Sequence, residues 1–412
     1  MRRETRPSVI IFIALLVLPA CGPNGGLLDD DSVLAVVLNG QFTAEPPPGG
    51  SASGSSPAVP APLGTDKATS FISGSIAGRG DYRLFELGGF DAGDQLMIED
   101  AQLISGHSLF TVVVFDQDMN LLDRTPSFPA RELVHIMRRS SKSVVVGVRP
   151  TYDDSGGDFN IRITRQTGQS IPSAMRQVVY LNFGPGSAIR VHTRTGINFS
   201  SFNAARISDD YAGMTEAVKA SIIETMRQDY DGYDVRIMTS DEGPPPSGAY
   251  SIIHFGGNVS GLLGLADNVD RYNNDPSQTA VVFIDGFAPF EVMQLTPEEM
   301  GIMIGNVGSH ELGHLLGLYH TRDPNDLMDT TGTAWELAEN QRFDRAALEA
   351  SVFPVGLENS PMLLSDTVGQ VDGGPSAKSL ADSVKRDVRT LIRDLTEIEL
   401  RSACGLCNAP GL

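Results

Sequence analysis

The sequence predicts two folded parts in tandem: an all-β sandwich over residues 66–165, then an α+β domain with one long helix over residues 175–370. Three observations predict this. Short alternating apolar runs, separated by turn residues, recur from about Asp66 to Arg165, the spacing of a β-sandwich. Beyond them, strand-like runs alternate with stretches of helical period. A helix-length segment then opens on Thr296-Pro297-Glu298-Glu299 and carries histidines towards its end. A length of 412 residues suggests two or three domains, and a hydrophobic fraction of 41% allows proper cores.

In chain order, residues 1–20 read as a secretory leader: Arg2, Arg3 and Arg6 precede the unbroken apolar run Val9 to Leu18. Such a run is too short to cross a bilayer, which takes about 20 residues. Leu18-Pro19-Ala20-Cys21 resembles a bacterial lipobox, with Cys21 as the lipidated residue. Ordinary leader cleavage is the alternative. A lipid on Cys21 anchors the chain to a membrane without spanning it. Gly22 follows, with no aspartate to suggest inner-membrane retention, so the expectation is an exported protein at the outer membrane or cell surface. Residues 21–65 are rich in Pro, Gly, Ser and Ala, as in Pro46-Pro47-Pro48-Gly49-Gly50. They read as a disordered tether that cannot bury enough apolar surface to order itself.

Within the sandwich, the strand candidates are Tyr82 to Leu87, Gln95 to Ile98, Leu109 to Phe115, Ser143 to Val148 and Phe159 to Thr164. Residues 166–174 read as a linker. In the second domain, Gln177 to Phe183, Val235 to Met238, Tyr250 to Phe255 and Ala280 to Ile284 read as strands. Thr215 to Tyr230 has helical period, with Val218, Ile222, Ile223 and Met226 on one stripe. A long helix is expected from Pro297 to Leu316, and another near Arg342 to Ser351. Residues 371–412 hold an amphipathic helix over Ala377 to Ala403 and a Cys404/Cys407 pair, read as a short local disulfide in an oxidising compartment.

The chain has 31 basic and 51 acidic residues, a net charge of −20. Such a surface repels phosphate backbones, so nucleic acid is excluded as a partner. Asp267, Asp270 and Asp275 lie in a segment dense in oxygen ligands. It can hold a structural Ca2+ or be a plain polar loop. His107, His135, His192 and His254 are isolated in the sequence and read as ordinary surface or core histidines.

The decisive feature is His310-Glu311-Leu312-Gly313-His314-Leu315-Leu316-Gly317-Leu318-Tyr319-His320, which spells H-E-x-x-H-x-x-G-x-x-H. Residues four apart share a helix face, so His310 and His314 can hold one Zn2+. Glu311 can reach a zinc-coordinated water as general base. Gly317 allows a sharp turn through positive φ, which brings His320 round as third ligand. The fourth position stays open for water, the mark of a catalytic rather than structural zinc.

This motif resembles that of the metzincin clan of zinc endopeptidases, which carry a methionine-bearing turn under the metal. Here Met328 falls eight residues after His320, as in matrixin-like members, and Pro324 sits where that group often has proline. The resemblance implies a twisted, mostly parallel sheet with the long helix carrying the ligands, Met328 as a hydrophobic floor, and hydrolysis of peptide bonds. It also implies an edge strand above the cleft that binds substrate by strand addition, for which Tyr250 to Asn258, or the loop after it, is the candidate. Asp329-Thr330 stands where some branches place a tyrosine, and no cysteine-switch motif is visible. The β-domain resembles the bacterial pre-peptidase C-terminal domain, a jelly-roll-like module of secreted proteases. Gly80 to Phe85, Ala92 to Leu96 and Val113 to Asp116 carry that likeness. The expected function is a zinc endopeptidase acting on extracellular or cell-surface proteins. Two alternatives are a gluzincin-like peptidase with a distal Glu ligand, and a surface lipoprotein with an inactive peptidase domain whose sandwich binds matrix or glycan.

Overall fold

The structure is a computed structural model and describes residues 67–371, apart from 79, 101–108, 130 and 153–155. The leader, Cys21, the tether, His107, the tail helix and Cys404/Cys407 lie outside the described residues.

The first part pairs two antiparallel four-stranded sheets. Its strands are β1 (Lys67–Ile76), β2 (Arg83–Glu86), β3 (Gln95–Asp100), β4 (Phe110–Phe115), β5 (Leu121–Phe128), β6 (Leu133–Ile136), β7 (Val145–Pro150) and β8 (Gly157–Gln166). One sheet has the order β1-β8-β3-β6, the other β2-β7-β4-β5. Alternation fixes the register: Phe159, Ile161 and Ile163 of β8 point inward with Ile72, Leu96 and Ile98, and meet Phe85, Val112 and Val146 of the other sheet. β4 departs from alternation because it is buried on both faces. Phe110, Val112 and Val114 enter the sandwich core. Val113 and Phe115 point away from it and pack with Tyr319, Leu348 and Phe353 of the second part.

That second part contains β9 (Gln177–Asn182), β10 (Gly186–Val191), β11 (Arg194–Phe199), α1 (Thr215–Asp229), β12 (Val235–Thr239), β13 (Ser251–Phe255), β14 (Gly264–Ala266), β15 (Thr279–Val282) and α2 (Pro297–Leu315). The sheet order is β12-β9-β13-β15-β14. The first four strands run parallel, and β14 runs antiparallel to β15. α1 packs on α2 where Gly301 and Gly305 face Ser221 and Thr225. Glycine is needed there because any Cβ would enter the facing helix.

One expectation is narrowed to its second alternative and another is corrected. β13 is flanked by β9 and β15, which use its backbone groups, so Tyr250 to Asn258 does not supply the sheet edge. That edge is β14, within the stretch that follows. No helix forms over Arg342 to Ser351: β16 (Arg345–Ala347) pairs with β17 (Leu357–Asn359). Glu349 N–H also donates to His320 O at 2.9 Å, and Arg322 N–H to Ala347 O at 2.9 Å. Extended pairing here satisfies backbone groups beside the third histidine, and a helix would forfeit it. The helices in this region are α3 (Ala334–Leu337) and α4 (Ser360–Thr367). Among the described residues, no helix is long and apolar enough to cross a membrane.

Candidate metal centre

α2 begins with a complete capping box. Thr296 Oγ1 accepts from Glu299 N–H at 3.2 Å, and Glu299 Oε2 accepts from Thr296 N–H at 2.9 Å. Pro297 occupies the first helical position, where its missing N–H costs nothing. The helix ends where Gly317 N–H and Leu318 N–H return to the carbonyls of His314 and Gly313 at 2.8 and 2.9 Å. Gly317 has φ +95°, and a Cβ there would lie 2.6 Å from Arg271 Cα. Both the left-handed backbone and the close approach of Arg271 therefore require glycine.

This turn brings the three histidines together. His320 Nε2 lies 3.1 Å from His310 Nε2 and 3.2 Å from His314 Nε2. His310 Nδ1 faces Leu327 O at 2.7 Å and His314 Nδ1 faces Leu318 O at 2.8 Å. A carbonyl only accepts, so both rings carry their proton on Nδ1 and turn an Nε2 lone pair inward. Burial and the neighbouring imidazoles push His314 and His320 well below the usual imidazole range, which keeps them neutral. Three imidazole nitrogens converging on one point fit zinc: ligands about 2.1 Å from a tetrahedral ion stand roughly 3.4 Å apart. Among the described residues, this trio is the group of histidine, cysteine or acidic side chains arranged to hold a metal ion.

Glu311 is buried beside the trio and lies against β14, where a Cβ on Gly264 would come within 2.7 Å of Glu311 Cδ. Met328 is fully buried, with its sulfur against Gly313 between the first two histidines, and its carbonyl accepts from Thr321 N–H at 2.9 Å. Asp267, Asp270 and Asp275 do not form a ligand set. Asp267 accepts from the N–H groups of His192 and Thr279, each at 2.7 Å. Asp270 accepts from Asp275 N–H at 2.7 Å, and Asp275 from Ser277 N–H at 3.0 Å. These carboxylates shape loops, and the calcium expectation finds no support. His135, His192 and His254 stand apart, beside Asp123, Asp267 and Asn182 respectively.

Three residues important to the site were not anticipated. Asp326, fully buried, accepts from Thr321 Oγ1 at 2.7 Å and Asp344 N–H at 3.1 Å, bracing the loop whose Leu327 carbonyl orients His310. Arg271 and Glu358 form a buried ion pair at 3.0 Å behind the turn to His320. Nothing local in the sequence marks these charges as buried, because their partners are remote along the chain.

A model of the matrixin family matches residues 238–346, from the end of β12 to β16. A search of curated proteins finds no match. Among solved structures, the chain is similar to a zinc-dependent peptidase from Methanocorpusculum labreanum, at 14% identity over 40% of this chain and 93% of that one, with a TM-score of 0.24. It is similar to archaemetzincin from Methanopyrus kandleri at 14% identity, over 41% of this chain and 89% of that one, with a TM-score of 0.24. PliG from Aeromonas hydrophila, a periplasmic inhibitor of g-type lysozyme, is similar at 14% identity over 25% of this chain and 87% of that one, with a TM-score of 0.19. The matrixin match, together with the gathered trio of His310, His314 and His320, supports a zinc metallopeptidase with a metzincin-like α+β domain.

Proposed function

We propose that the chain is a zinc-dependent endopeptidase, exported and lipid-anchored at Cys21, that hydrolyses peptide bonds of extracellular or cell-surface proteins. The observation that carries this reading is the convergence of three imidazole Nε2 atoms beside a buried Glu311. His310, His314 and His320 would hold the ion as neutral ligands. When bound, zinc supplies Lewis-acid polarisation of the scissile carbonyl and lowers the pKa of a water molecule. Glu311 takes a proton from the water as its oxygen bonds to the carbonyl carbon, and delivers that proton to the leaving nitrogen as the C–N bond breaks. The Leu327 and Leu318 carbonyls hold two ligand rings in the orientation this needs. β14 ends the sheet beside Glu311 and can pair with an extended peptide, fixing the scissile bond by backbone hydrogen bonds. The strand orders β1-β8-β3-β6 and β2-β7-β4-β5 support reading the sandwich as a jelly roll.

The test is digestion of casein, gelatin and a mixed peptide library by the zinc-loaded chain, with and without a chelator. Chelator-sensitive cleavage at internal bonds is expected. Intact substrates throughout, together with retention on matrix or glycan, would instead favour the inactive binding lipoprotein.

A further inference from the structure

We propose that Arg271 is a positioning residue that ties the β-sandwich to the ligand-bearing turn, making the sandwich part of the metal site's frame. This rests on the zinc reading of the histidine trio. Arg271 is buried between the two parts of the molecule. On the sandwich side, its Nε donates to Leu122 O at 3.0 Å and its Nη2 to Leu121 O, both on β5. On the other side, its Nη1 donates to Gly317 O at 2.8 Å and to both Glu358 oxygens at 3.0 Å. Glu358, fully buried, accepts in turn from Tyr319 N–H at 3.3 Å. The Arg271–Glu358 pair thus grips the residues on either side of Leu318.

That placement matters because Leu318 O is the acceptor that orients His314, and Tyr319 leads directly into His320. A shift of this turn moves two of the three ligands together. The preceding residue reinforces the link, since Asp270 N–H donates to His314 O at 3.0 Å. Only a planar fork can serve acceptors on both sides at once. A lysine in its place keeps the charge but presents a single point with three donors.

The experiment measures zinc affinity of the full chain by chelator competition, and the absorption of the cobalt-substituted protein, for Arg271→Lys, for Arg271→Met/Glu358→Gln and for Arg139→Ala. The last removes a different link between the same two parts, the 2.6 Å ion pair to Asp366. Arg271→Lys is expected to bind zinc about tenfold more weakly and to alter the cobalt bands, while Arg139→Ala changes neither. If Arg271→Lys fails to fold, the double variant, which leaves no unpaired buried charge, carries the same comparison. Wild-type zinc affinity and cobalt bands in the folded Arg271 variant, with only a lowered melting temperature, would overturn the proposal. Wild-type protein that takes up neither metal would refute the zinc reading itself, and this inference with it.

Discussion

A side chain at position 264 would occupy space that Glu311 holds, since a Cβ there would fall 2.7 Å from Glu311 Cδ. Gly264→Ala is therefore expected to push the carboxylate aside, lowering kcat while zinc content stays at the wild-type level. Glu311→Ala should also keep the metal and lose at least about 100-fold in turnover, the lower end of what a general base contributes. Peptidase assays beside metal analysis check both, and retained turnover in Glu311→Ala would refute the role of that carboxylate. Asp326 bears on stability. Burial raises its pKa to about 7, against the hydrogen bonds from Thr321 and Asp344 that lower it. The folded pKa lies above the unfolded value of about 3.9. Between those values the folded chain keeps a proton that the unfolded chain releases, so this contribution is greatest at low pH and is lost as pH rises to about 7. The full effect is roughly 4 kcal/mol. In metal-free protein, urea unfolding should show the stability of the wild type falling relative to that of Asp326→Asn as pH rises from about 4 to about 7, with no further divergence above that. An unchanged slope would assign that dependence to other groups.

At the scale of elements, α2 shows how local chemistry defines a helix that tertiary contacts then put to use. Thr296→Ala removes the cap on Glu299 N–H and should cost about 1 kcal/mol of stability. The ligands lie near the opposite end of the helix, so zinc affinity should be unchanged; a weaker zinc affinity would mean that fraying at the N-terminus reaches the ligands. The cap, the Pro297 start and the Gly317 stop are all written within a few residues, which is why this element and its histidine spacing were legible in the sequence. β14 was not, because three residues carry no measurable period and Gly264-Leu265-Ala266 form a strand only by pairing with β15. The segment around Arg345 misled for a related reason. A helix was expected there, but pairing with β17 and with the backbone beside His320 decides its conformation. The run Phe110 to Phe115 held a signal that reading it simply as a strand left unused: six consecutive buried residues in a sandwich strand mean that both faces are covered.

Across the whole molecule, that second covered face explains why the two parts are expected to unfold together. Val113, Phe115 and Leu121 of the sandwich share a buried cluster with Tyr319, Leu348, Val352 and Phe353. Phe353 sits at its centre, edge-on to Tyr82 and Phe115 at centroid distances of 5.8 and 5.7 Å. Polar links also join the two parts: Arg345 reaches Asn120 Oδ1 at 2.6 Å and Asp118 O at 2.7 Å, and Arg138 reaches Asp366 O at 3.2 Å. Polar links made by exposed side chains such as Arg345 are each worth little, whereas truncating a fully buried phenylalanine costs about 3–5 kcal/mol. The apolar cluster, rather than the polar rim, should therefore govern the coupling. Scanning calorimetry of the wild-type chain is expected to show one transition for residues 67–371, and Phe353→Ala to separate it into two as the sandwich and the metal-bearing part unfold independently. Replacing Arg345 with alanine should leave the transition single. Two transitions already present in the wild-type protein would show that the shared cluster does not couple the parts.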